Sequence, residues 1–242
     1  MNILIYENLI NDCIKELSNE NIFCEKPRKM LNSLIVKTPQ VSNNVCDKMD
    51  YILKYESLNN KYISINDICK YVQITKTSKI MLHIGDITKL QIESIVNAGN
   101  ENMLGCFVPD HKCVDNVIHC AAGPRLRNEC IQIMKTRNNI INPGGAILTS
   151  AYSLPSTYII HTVGPIILNK QPTNDQENEL RNCYLNVLEL CKINNIHQTA
   201  FTNISTGLFG MQSRYECCYI LVTTKYALQY GCYFLCVYKN KL

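Results

Sequence analysis

The stretch IESIVNAGNENMLGCFVPDHKCVDNVIHCAAG, residues 92–123, decides how this chain reads. An apolar run, IESIV, stops abruptly at the polar turn NAGNEN, which marks a buried strand ending at a sheet rim. A short loop follows and packs Cys106, His111 and Cys113 together. A periodic segment at about 112–135 then reads as a helix. Strand, polar turn and helix are the repeating unit of an α/β domain, in which ligands gather beyond the carboxyl ends of the strands. The Cys/His loop admits three readings: a metal site, a disulfide-forming pair, or a coincidence in a chain with 14 cysteines.

The bulk composition suits a globular protein of 242 residues, with 46% hydrophobic and 18% charged residues. The formal net charge of +4 is spread among acids rather than gathered in a basic run, so no specific nucleic-acid partner is expected. The start, MNILIYENLIND, meets Glu7 before an apolar export segment forms. The late stretch ILVTTKYALQYGCYFLCVY is interrupted by Lys225, Gln229 and Gly231 and does not read as a membrane span. A cytoplasmic, reducing location follows as the expectation, with most thiols free and behaving as small buried hydrophobes. A metal is then the better use for a tight Cys/His cluster.

Residues 1–75 read as a helical extension packed on the main domain. Leu4, Tyr6, Leu9, Ile10, Cys13, Ile14 and Leu17 recur at helical spacing. Pro27 is placed to start a second helix and Ser42 to cap a third. No catalytic constellation is visible there. Residues 76–242 form the main domain, with strands in KIMLHI, IESIVNA, AILTSA, TYIIHTV, QTAFTNI and CYFLCVY. Helices are expected at about 112–135, 175–194 and 213–230. The expected architecture is a three-layer α/β/α domain on a mixed, largely parallel sheet.

Three strand-end turns carry candidate chemistry. In HIGDIT, Asp86 presents a carboxylate able to accept from an exocyclic amine; a turn cap is the plainer reading of an isolated Gly-Asp pair. In VNAGN, Asn97 and Asn100 are able to donate to hydroxyls or simply to form the turn. In NISTGLFG, hydroxyls and glycines precede a helical stretch, where successive N–H groups cradle a pyrophosphate.

Taken together, GDIT, VNAGN, DNVIHCAAG, LPSTYIIHTVGP and ISTGLFG resemble the macrodomain family, which binds ADP-ribose. The resemblance covers about two-thirds of the chain, from Lys79 onward. It implies that Asp86 meets the adenine amine and Ile87 the phosphate side. It implies that Asn100 meets the distal ribose, that Ser205, Thr206, Gly207 and Leu208 form the diphosphate loop, and that Phe209 lies near the distal ribose. Asp115 resembles the acidic residue near the scissile end in hydrolytic members. Gly99 stands where alanine is usual in the family, which loosens the turn.

Ordinary relatives carry a glycine run where this chain has GCFVPDHKCVDN. That substitution and the helical extension resemble the zinc-containing macrodomains of microbial protein-ADP-ribose hydrolases. Two thiolates and an imidazole suit Zn2+, and three protein ligands leave one position open, as catalytic sites do. The resemblance therefore implies one Zn2+ per chain, held by Cys106, His111 and Cys113. It further implies metal-assisted release of mono-ADP-ribose from modified protein side chains, with Asn100 positioning ribose and Asp115 orienting water or moving a proton. Two alternatives stay open: a non-catalytic ADP-ribose reader with structural zinc, and a hydrolase of small ADP-ribose esters. His119 reads as a packed helix residue or a fourth ligand, His83 and His161 as strand residues, and the chain as a monomer.

Overall fold

In a computed structural model the described residues are 3–20, 22–76, 78–137, 140–168, 171–207 and 209–211, with the backbone of 233–238. The first layer is helical: α1 (Ile3–Ser18), α2 (Pro27–Lys37) and α3 (Asn43–Ser57). Pro27 occupies the first turn of α2, where its missing N–H costs nothing. Ser42 caps α3 by accepting from Val45 N at 3.2 Å. The three helices bury a small core of their own around Ile10, Cys13, Leu31, Val45, Met49 and Ile52.

The extension is α-helical only as far as Ser57, with one 3-10 turn later at Ile65–Asp67. Beyond Ser57 lie two short strands, β1 (Ile63–Ser64) and β2 (Tyr71–Gln73), and β2 joins the main sheet. Three-residue strands carry too little periodicity to be seen in sequence. The remaining strands are β3 (Lys79–Ile84), β4 (Leu90–Gln91), β5 (Ser94–Gly99), β6 (Ala146–Ser150), β7 (Tyr158–Val163), β8 (Gln198–Phe201) and β9 (Tyr233–Tyr238). The seven-stranded sheet runs β2-β3-β9-β8-β5-β7-β6, parallel at its centre and antiparallel at both edges. β1 and β4 pair separately.

Helices α4 (Val114–Ala122) and α5 (Pro124–Lys135) cover one face, and α6 (Asn174–Ile193) the other. The single helix expected at about 112–135 is two helices. Gly123, at φ 89°, ends the first and Pro124 starts the second. Successive residues of the central strands point to opposite layers: Ile95, Ile159 and Ala200 toward α4 and α5, and Val96, Ile160 and Phe201 toward α6. Each fully buried aliphatic side chain contributes roughly 1.5–3 kcal/mol. The doubly buried sheet explains why its strands read as unbroken apolar runs. The helix expected at about 213–230 lies outside the described residues.

Candidate functional site

The sheet delivers its chemistry where β5 ends. Beyond Gly99 the chain turns through Asn100, whose Oδ1 accepts from Asn102 N at 3.1 Å and whose Nδ2 donates to Gly105 O at 3.2 Å. Asn100 therefore ties the strand-end turn to the loop carrying Cys106, His111 and Cys113. Met103, Gly105 and Asp110 all adopt positive φ, which folds that loop tightly. At Gly105, φ 80°, an added Cβ would stand 2.9 Å from the His119 ring, so only glycine fits.

The loop brings the three sequence-selected ligands together. Their ligand atoms all lie within 4.8 Å of one another, and Cys106 Sγ is 3.3 Å from His111 Nδ1. A thiolate and an imidazole bound to one tetrahedral zinc stand about 3.5 Å apart, so the donor set fits that ion. Cys113 is also the N-cap of α4, its Sγ accepting from Asn116 N at 3.3 Å. Asn116 Nδ2 donates to His111 O at 2.8 Å and locks the loop to the helix. Burial, reinforced by Cys106, pushes the Cys113 thiol up to about 12. A dication between the sulfurs supplies the charge that lets both ionise, and a helix N-terminus assists. Cys106 and Cys113 are not joined by a disulfide.

Directly behind this loop lies a buried polar chain. Asp115, 6% exposed, accepts from Asn97 Nδ2 at 2.8 Å. Asn97 Nδ2 is also 3.1 Å from His161 Nδ1, and His161 Nε2 is 2.9 Å from Thr149 Oγ1. His119 Nε2 sits 3.5 Å from Asp115 Oδ1. Burial raises the Asp115 carboxyl and pushes both imidazoles down to about 3, which keeps them neutral. Both are packed core residues; His161 bonds through both ring nitrogens, whereas neither ring nitrogen of His119 has a hydrogen-bond partner among the described residues. Asn97, read from sequence as either a donor to hydroxyls or a turn former, is the hub of the chain.

Asp86 performs the plainer task first. Its Oδ1 accepts from Thr88 N at 2.9 Å and Thr88 Oγ1 at 2.7 Å, capping a short 3-10 turn at residues 87–89 that buries Ile87. Both bonds use one oxygen and leave Oδ2 as an acceptor. Asp86 lines a cavity of about 530 Å3 beside Asn116 and Cys120. Its opposite wall comes from the helical extension, through Arg28, Glu56 and Asn60. Arg28 Nε lies 2.6 Å from Glu56 Oε1, and Tyr6 donates to the same oxygen at 2.7 Å. These wall residues went unnoticed in the sequence, because partners 28 positions apart on different helices leave no local pattern.

The loop after β8 is built for close backbone approach. Ser205 is buried at φ 62°, and its carbonyl accepts from Met211 N at 2.9 Å. Phe209 O accepts from Ile167 N at 2.6 Å. Gly207 is exposed, and an added Cβ there would meet nothing within 4 Å. Thr206 is half-buried beside it. Leu208 lies outside the described residues. None of Ser205, Thr206, Gly207, Phe209 or Asn100 lines the Asp86 cavity, so the candidate residues form neighbouring stations along the strand ends.

Known proteins share this fold. The family model described as "Macro domain" matches residues 96–216, which begins within β5 and takes in the Cys/His loop, α4 and the loop after β8. A "Protein-ADP-ribose hydrolase" of Staphylococcus aureus (strain MSSA476) is 34% identical over 211 residues, covering 84% of this chain and 77% of the relative. A glycine-to-valine variant of the Oceanobacillus iheyensis macrodomain, solved with ADPR, superposes with a TM-score of 0.62. It is 36% identical and covers 69% of this chain and 88% of its own. A Trypanosoma brucei macrodomain, 24% identical, shares the fold over 98% of this chain and 87% of its own, with a TM-score of 0.63. The strand-end stations, the matched residues and these relatives agree: the chain belongs to the Macro domain family.

Proposed function

We propose that this protein is a zinc-dependent hydrolase that releases mono-ADP-ribose from modified protein side chains. The observation that carries the reading is the Cys106, His111 and Cys113 donor set, closed to within 4.8 Å at the N-terminus of α4, with Cys113 two residues before Asp115. The hydrolase name carried by the Staphylococcus aureus relative supports the same reaction class. The O. iheyensis structure with ADPR supports the ligand.

In this reading the protein's own groups divide the work. Asp86 Oδ2 accepts from the adenine amine, and the open backbone at Gly207 receives the diphosphate. These remote contacts hold the anomeric carbon in place, which is how binding energy away from the reacting bond lowers its barrier. Asn100 orients the distal ribose. Asn97 fixes the rotamer of Asp115, and the raised affinity of that carboxyl for a proton suits it to take one up as the bond breaks. When bound, Zn2+ supplies Lewis-acid polarisation at the ribose end.

A second reading has one observation in its favour. Asn100 is engaged with Gly105 and Asn102, so it also serves as a loop tie, as a non-catalytic ADP-ribose reader with structural zinc requires. Incubation with a mono-ADP-ribosylated protein separates the two. Free ADP-ribose appears with native protein and is lost with a chelator or with Cys113→Ala, while ADP-ribose binding persists. Tight binding with no release in any metal state rejects the hydrolase. Release from acetylated ADP-ribose but from no protein assigns the small-ester reaction instead.

A further inference from the structure

Arg127 stands out among the described charged residues because it is only 4% exposed and its hydrogen bonds there go to backbone carbonyls rather than to a carboxylate. Burying a guanidinium is costly unless its donors are satisfied. Here backbone carbonyls accept from Nε and Nη1. Nη1 donates to Ile35 O at 2.9 Å, Val36 O at 3.1 Å and Thr38 O at 2.8 Å. These are the carbonyls at the end of α2, where the helix dipole favours a cation. Nε points to a different segment and donates to Leu104 O at 2.8 Å. The guanidinium carbon lies 4.6 Å from the centroid of the Phe107 ring.

Leu104 and Phe107 flank Cys106, the first of the three clustered donors. One side chain on α5 therefore holds the tail of α2 with one nitrogen and the Cys/His loop with another nitrogen and its flat face. A second strut runs between the same two segments, since Lys29 Nζ of α2 lies 3.0 Å from Asp110 Oδ2. Both ends of that pair are more than half exposed, so salt screens it and it adds little. Arg127 is the buried member and dominates.

We propose that Arg127 is a positioning residue for the Cys106–Cys113 loop, coupling the N-terminal helices to the site where the metal is held. The tail of α2 acts as a fixed abutment and Arg127 transmits its position to the loop backbone. The inference rests on the zinc reading for its metal readout and on the loop alone for its exchange readout. Lysine does not substitute, because a single ammonium lacks the planar fork that reaches two segments while stacking on a ring.

The test uses the full chain and Arg127→Lys. In metal-free protein, amide hydrogen exchange across residues 104–111 is expected to quicken on the order of tenfold, with β5 and α6 unchanged. In competition against a chromophoric chelator, zinc affinity is expected to fall about 10- to 100-fold, as when the outer partners of metal ligands are removed. Loop exchange equal to native overturns the proposal, as does protection lost uniformly across the sheet, which marks a merely structural role. A quickened loop with native zinc affinity overturns it too. If the native protein takes up no zinc, the proposed metal chemistry falls while loop exchange still decides the role of Arg127. Should Arg127→Lys not fold, Phe107→Leu removes the stacked ring from a partly exposed position. It must quicken the same amides by a smaller factor, and unchanged exchange there rejects the coupling.

Discussion

Asn97 donates to Asp115 across 2.8 Å, and both side chains are withdrawn from solvent beneath the Cys/His loop. The bond joins strand β5 to the first turn of α4, so it links the sheet to the helix that carries Asp115. Asn97→Ala leaves the buried Asp115 oxygen without its donor and costs about 1–3 kcal/mol. Urea unfolding at neutral pH measures that loss directly. Asp115→Asn restores an uncharged group able to bond and should unfold at higher urea than Asn97→Ala, while turnover falls.

The buried imidazoles set the response to acid. His119 and His161 lie at about 3 in the folded chain against an ordinary 6.5, so the unfolded chain binds more protons between those values. Their contribution is fully present above pH 6.5 and is lost as pH falls toward 3. Asp115 works the other way, because its raised carboxyl favours the folded chain at low pH. Two histidines outweigh one carboxyl, so stability should fall from pH 6.5 to 4 by up to about 1.4 kcal/mol per pH unit for each net proton. Urea midpoints measured across that range check the slope, and a flat profile contradicts the neutral, buried assignment.

Asp86 caps a turn through one oxygen, and on the proposed reading the other oxygen recognises the ligand. Asp86→Ala removes the cap on the 87–89 turn and should cost about 0.5–2 kcal/mol. Asp86→Asn keeps an oxygen for Thr88 but gives up a charged acceptor. It should leave the melting temperature within a few degrees of native while weakening ADP-ribose binding about 10- to 100-fold, the worth of a hydrogen bond to a charged group. Calorimetric titration of the two variants separates the tasks.

Gly99 does not need to be glycine. It has no positive φ, and an added Cβ would lie 3.6 Å from Asn97 Nδ2 and Met103 Sδ and 3.8 Å from Asp115 Oδ1, all ordinary contacts. Gly99→Ala should therefore be neutral or stabilise by up to about 1 kcal/mol through the unfolded chain. Thermal unfolding tests it. Gly105→Ala is the contrast: positive φ and the His119 ring stand in the way, and the same measurement should show a clear loss.

The legible parts were those written in short-range pattern. KIMLHI matches β3 residue for residue, and Pro27 and Ser42 begin and cap α2 and α3 where local sterics and hydrogen bonding require. The break between α4 and α5 at Gly123 and Pro124 was also written in the residues, yet a continuous apolar periodicity masked it. The Cys106, His111 and Cys113 grouping was visible because all three donors fall within eight residues, a span a single loop can close.

Sequence alone thus determined the layers, most strands, the metal-friendly loop and the Macro domain resemblance, since each depends on neighbours along the chain. Tertiary structure alone decided that Asn97 and His161 support Asp115, that Arg28 and Glu56 wall the Asp86 cavity, and that Arg127 joins α2 to the Cys/His loop. The physical reason is common to all three. A buried polar group must find partners wherever the packed chain places them, and those partners sit 18 to 92 positions away, where no local periodicity records them.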